Sequence, residues 1–115
     1  MDSSIPTYFL AHWVRDREVF TWEQAISMLT YRPAQVFGFP DRGLLQEGSV
    51  ADLVVFDPER VAPCLPHAAA DLPAGGTRLV QEAEGISATV VAGCTLLRDG
   101  SFTDARLGRL LRAGG

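Results

Sequence analysis

The sequence predicts an α+β fold, with helices in its N-terminal third followed by a small, mostly antiparallel β-sheet. Three observations carry this. Apolar residues recur at helical spacing within residues 1–40, the Asp41-Arg42-Gly43 turn breaks that pattern, and β-prone runs dominate residues 41–115. With 115 residues the chain has room for one domain. A complete α/β barrel, at ~250 residues, is excluded.

From Ile5, apolar residues fall at Phe9, Leu10, Trp13 and Val14, with Pro6 suited to a first helical turn and Arg15-Asp16-Arg17-Glu18 as a charged exit. Thr21 and Gln24 have capping-box spacing, and Trp22, Ala25, Ile26 and Leu29 make one stripe that must be buried. Pro33 is placed to start a third short helix through Val36 and Phe37, which Gly38 ends. Leu53-Val54-Val55-Phe56 is a continuous apolar run, the signature of a strand covered on both faces. Residues 61–77, rich in Pro, Ala and Gly, read as an excursion or linker, and residues 78–84 fit either a strand or a helical turn. Thr89 to Leu97 reads as a hairpin about a glycine-centred turn, Asp99-Gly100 supplies the next turn, and Gly114-Gly115 is expected to fray.

All ten basic residues are arginine and the net charge is -4, which argues against a general nucleic-acid or anionic-membrane partner. Arg106, Arg109 and Arg112 are spaced for one side of a helix, but a solvated surface explains them as well. Neither a membrane-spanning apolar stretch nor a secretory signal is visible, so a cytoplasmic location is expected. Cys64 and Cys94 are then two unpaired thiols.

Chemistry is scarce. The two histidines, His12 and His67, lie on unrelated segments without a metal-binding pattern. Cys64 and His67 have the spacing of half a zinc site, with no second half nearby. No nucleophile elbow, P-loop or dinucleotide fingerprint is present. Glu82 and Glu84 alternate as surface carboxylates do. The residues themselves therefore describe an α+β domain with no catalytic and no metal-binding residues of its own.

One stretch adds a family. Asp41 to Asp57, and above all Ala51-Asp52-Leu53-Val54-Val55-Phe56-Asp57, resembles the passage from catalytic barrel to β-sandwich in metal-dependent amidohydrolases. Leu29 to Ala34 resembles the last barrel-associated helical segment of that superfamily, and Val90 to Gly100 its closing hairpin. Pro6 to Arg17 and Asp71 to Gln81 resemble the N-acyl-D-amino-acid deacylase (D-aminoacylase) branch. Asp104 and Leu107 depart from it, where the family tends toward Gly and Pro.

The resemblance implies a C-terminal portion of a longer enzyme: residues 1–40 from the end of the barrel, residues 41–115 the C-terminal part of the β-sandwich. It implies zinc in the whole enzyme, where the metal polarises an amide carbonyl and lowers the pKa of bound water to ~7. It places no zinc ligand in this chain. Asp2 lacks the setting of the family's catalytic aspartate and reads as lying after it, while His12 and Arg15 become candidates for the substrate-pocket rim. Arg15 there would suit a substrate carboxylate, and a helix-surface or capping role is the alternative for both. The isolated chain is then expected to be inactive, its partner the missing N-terminal part of the enzyme. Open strand edges would favour a homodimer or strand-exchanged oligomer, as they would if the chain were a freestanding structural module. A small metal protein using Cys64, His67, Cys94 and His12 is the remaining option.

Overall fold

The computed structural model describes residues 2–113. Met1 and the Gly114-Gly115 end expected to fray lie outside the described residues. After a 3-10 turn at Asp2–Ser4, α1 (Ile5–Tyr8) carries Pro6 in its first turn and runs directly into a π-helical segment, Phe9–Asp16. The wide turn is closed by the Arg17 amide, which donates to the His12 carbonyl at 2.9 Å. Arg15 and Asp16, expected to lie beyond the helix, are its last residues. The apolar stripe still works at this pitch, since Leu10, Ala11 and Val14 are buried.

Helix α2 (Trp22–Leu29) starts at the expected capping box: Gln24 N donates to Thr21 Oγ1 at 3.2 Å, and Thr21 N donates to Gln24 Oε1 at 3.0 Å. Thr21→Ala removes the hydroxyl that accepts from Gln24 N, while the backbone amide at position 21 can still donate to Gln24 Oε1, and is expected to cost about 1 kcal/mol. Thr21→Ser is expected to restore the lost bond, with urea midpoints as the check. Helix α3 (Tyr31–Phe37) begins two residues before Pro33, because the proline ring is tolerated anywhere in a first turn. Gly38 ends it in the left-handed region at φ 74°.

The strands are β1 (Leu53–Phe56), β2 (Ala62–Pro63), β3 (His67–Ala69), β4 (Arg78–Val80), β5 (Ala83–Glu84), β6 (Ile86–Val91), β7 (Cys94–Arg98) and β8 (Ser101–Phe102). Every pairing among the described residues is antiparallel. They make a four-stranded sheet in the order β1-β6-β7-β8 and two two-stranded ribbons, β2-β5 and β3-β4, where a single sheet was expected. The excursion after residue 61 is thus built of short strands that pair with residues 78–84. The β6-β7 and β7-β8 turns place Ala92-Gly93 and Asp99-Gly100 at positive φ, as two-residue hairpins require. Residues 103–113 form no helix, so Arg106, Arg109 and Arg112 do not share a helical face.

The core is small. Leu10, Val14, Ala25 and Val61 form its buried centre, with Phe9, Phe20, Trp22, Ile26, Leu29, Phe56 and Ile86 around them. It joins the helices to the end of β1 and the start of β6. The expectation that β1 is covered on both faces fails: Val54 is 56% and Val55 52% exposed, because the four-stranded sheet is a single layer at that edge. Accessible surface totals 8423 Å². A compact monomer of 12.4 kDa exposes about 6,100 Å². The surplus, on the order of 2,000 Å², has the size of a permanent protein–protein interface. No helix among the described residues is long and apolar enough to cross a membrane.

Candidate functional site

Of the two residues proposed for a pocket rim, His12 stacks on Tyr8 across one helical turn, ring centres 5.1 Å apart and nearly parallel, and meets Trp13 edge-on at 4.8 Å. Tyr8 and Trp13 are exposed, so the three rings form an aromatic patch on the outer side of the helical segment. Arg15 is engaged elsewhere. Its Nη1 donates to the carbonyl oxygens of Val61 at 2.8 Å, Glu59 at 3.2 Å and Pro58 at 3.5 Å, and its Nε donates to Asp16 Oδ1 at 3.0 Å. His12 and Arg15 therefore sit on one helix with separate sets of partners.

The turn that receives Arg15 is itself tightly bonded. The Asp57 carbonyl accepts from Arg60 N at 3.1 Å and Val61 N at 2.9 Å, Asp57 Oδ1 accepts from Glu59 N at 2.9 Å, and Asp57 N donates to the Gly85 carbonyl at 2.8 Å. Asp52, just before β1, has two partners: its carboxylate pairs with Arg42 and also accepts from Ala92 N at 2.9 Å. This ties the turn after α3 to the β6-β7 hairpin. Sequence reasoning missed both junctions, although Asp57-Pro58 is a turn signal and Asp52 stands at a strand entry. At the far ribbon, the Arg78 guanidinium hydrogen-bonds the exposed Asp71 carboxylate and holds it below its usual pKa.

The larger cavities do not gather catalytic groups. One of about 720 Å³ lies between the β6-β7 hairpin and the C-terminal segment, lined among others by Arg42, Asp52, Cys94, Leu107 and Arg109. Its carboxylate and one of its guanidiniums already pair with each other. A second, about 330 Å³ and mainly apolar, shares Val91, Cys94, Leu107 and Gly108 with it. Cys64 and Cys94 are free thiols. Cys64 is held in the β2-β5 region by its amide, which donates to Glu82 O, while His67 opens β3. Asp2 lines a third cavity with Ser3 and the β4 residues Arg78 to Val80. Among the described residues, no three His, Cys, Asp or Glu side chains converge so as to hold a metal ion. That applies equally to the set Cys64, His67, Cys94 and His12.

Comparison with known proteins gives these arrangements a context. The amidohydrolase family profile matches residues 3–96. N-acyl-D-glutamate deacylase of Alcaligenes xylosoxydans xylosoxydans is 37% identical over 106 residues, which is 92% of this chain and 20% of that protein. Among solved structures, D-aminoacylase superposes with a TM-score of 0.75 at 36% identity, over 93% of this chain and 21% of that one. N-acyl-D-glutamate deacylase from Bordetella bronchiseptica, complexed with zinc and a phosphonate mimic of the tetrahedral intermediate, gives 0.72 at 39% identity, over 93% and 20%. The chain thus spans about a fifth of the length of these relatives. Its own described residues do not fit a zinc centre. With the family profile running over most of the residues and the backbone superposing on two deacylases, the chain belongs to the amidohydrolase family.

Proposed function

We propose that this chain serves as the C-terminal part of a zinc-dependent amidohydrolase that hydrolyses the amide bond of N-acyl-D-amino acids, and that it is catalytically silent alone. In this reading residues 1–40 end the catalytic barrel and residues 41–115 complete the β-sandwich, in the cytoplasm. The observation that carries the proposal is the match to D-aminoacylase along 93% of this chain within a fifth of that enzyme. The surplus surface and the uncovered Val54 and Val55 support it, since both call for a large partner surface. The same features favour a second reading, a freestanding module that self-associates through its strand edges.

A chimaera separates the two. D-aminoacylase whose matched fifth is replaced by this chain is expected to release amino acid from N-acyl-D-amino acids, while the purified 115-residue chain is expected to release none and to hold no stoichiometric zinc. Turnover by the isolated chain with bound metal would refute the proposal. So would a soluble, zinc-loaded chimaera without activity. A dimer of the isolated chain together with an inactive chimaera would favour the freestanding module.

A further inference from the structure

We propose that Arg15 is a positioning residue: it ties the end of the π-helical segment to the 57–61 turn and so sets the placement of the helices on the sheet, and it does not receive a substrate carboxylate. Its consequence for catalysis rests on the deacylase reading above. The tether itself rests on geometry alone.

Three carbonyl oxygens from one turn, those of Pro58, Glu59 and Val61, face a single guanidinium nitrogen. Nη1 has two hydrogens, so the 2.8 Å bond to Val61 and the 3.2 Å bond to Glu59 take them and the longer Pro58 contact shares. The remaining ring of contacts is closed by Nε on Asp16. A guanidinium at the last turn of a helix is also favoured by the carbonyl-rich end of that helix. These contacts take Nε and both Nη1 hydrogens and leave only the two on Nη2, so either bidentate grip on a substrate carboxylate, through Nη1 and Nη2 or through Nε and Nη2, would require breaking one of them. Arg15 lines none of the cavities described above.

The acceptor is not a passive loop. Val61 is fully buried at the core centre, and its amide is bonded to Asp57, whose own amide is bonded to Gly85 at the entry to β6. Arg15 therefore fixes the helix end relative to the main sheet through Val61 and Asp57. Lysine can reach a carbonyl of the turn, but it lacks a second nitrogen to hold Asp16 at the same time.

Amide hydrogen exchange in the 115-residue chain tests the tether. Arg15→Ala is expected to speed exchange at the Arg60 and Val61 amides by about 10- to 100-fold, the loss of charged hydrogen bonds expressed as local opening. Arg15→Lys should lie between, and Arg17→Ala should leave these amides unchanged. Wild-type exchange at Arg60 and Val61 in Arg15→Ala would overturn the proposal. In the active chimaera, Arg15→Ala is expected to lower kcat while KM stays within about twofold, with part of kcat recovered by Arg15→Lys. A KM increase at unchanged kcat, confined to substrates with a free carboxylate, would assign Arg15 to the pocket rim and overturn it. Should the chimaera be inactive with Arg15 intact, the deacylase reading fails, and the exchange result still decides the tether.

Discussion

Gly85→Ala is expected to abolish the cooperative unfolding transition of this chain, whereas Gly93→Ala is expected to lower its melting temperature only slightly. Both glycines have positive φ, 77° and 82°, so an alanine at either carries the left-handed penalty of about 1–2 kcal/mol. They differ in their surroundings. A Cβ at Gly85 would lie 2.5 Å from Val61 N and 2.7 Å from the Arg60 carbonyl carbon, while a Cβ at Gly93 meets nothing within 4 Å. The atoms in the way at Gly85 are backbone, and that backbone is pinned by Arg15 above and Asp57 below. Relief requires moving Val61 out of the core, which removes the one fully buried large side chain among the described residues. A total loss on the order of 4 kcal/mol or more follows from strain plus core disruption, comparable with the whole stability of a domain with so small a core. Near-UV circular dichroism reads this directly, because Trp22 packs on Phe56 at the edge of the same cluster. A Gly85→Ala protein melting within a few degrees of Gly93→Ala would show that the junction is soft.

The features legible in the sequence are those whose partners lie within a few residues. Thr21 and Gln24 spell out a capping box because both hydrogen bonds run three residues along the chain. The β6-β7 hairpin is legible for the same reason, its turn residues standing between the two strands they join. The π-helical pitch is not legible: over eight residues a stripe at Phe9, Leu10, Trp13 and Val14 reads alike for i+4 and i+5 hydrogen bonding. Nor are the ribbons. β2 and β5 contribute two residues each and are some twenty residues apart in sequence, too short for propensity to decide. The Arg15 tether spans 46 residues and ends on backbone carbonyls, acceptors that every residue possesses. The apolar run of β1 has the pattern of a strand covered on both faces, yet Val54 and Val55 are exposed. What it could not show is that this chain does not itself provide that cover.

Val54→Lys is therefore expected to leave the isolated chain folded and to abolish the activity of the chimaera. Val54 and Val55 are successive strand residues and so point to opposite faces, yet each is more than half exposed. β1 is also an edge of its sheet, with no strand on its outer side among the described residues. Beside it lies a cavity of about 290 Å³ lined by Leu44, Leu45, Val54 and Phe56 among others. Pairing two copies through β1 edges would extend the sheet but leave both of its faces open, so a second copy answers only part of the demand. The rest of a deacylase-length chain can supply layers on both sides. In that setting a lysine at 54 removes a buried side chain worth about 1.5–3 kcal/mol and places an unpaired charge in the contact at a cost of several more. Assembly should weaken by at least about 100-fold. Titrating the chain into D-aminoacylase truncated of its matched fifth measures this, with Ser101→Lys, at an exposed hairpin position, as the control for added charge. Circular dichroism of the free variant separates blocked docking from misfolding. If Val54→Lys instead binds and restores activity as well as Ser101→Lys does, the outer face of β1 is not where the two parts meet.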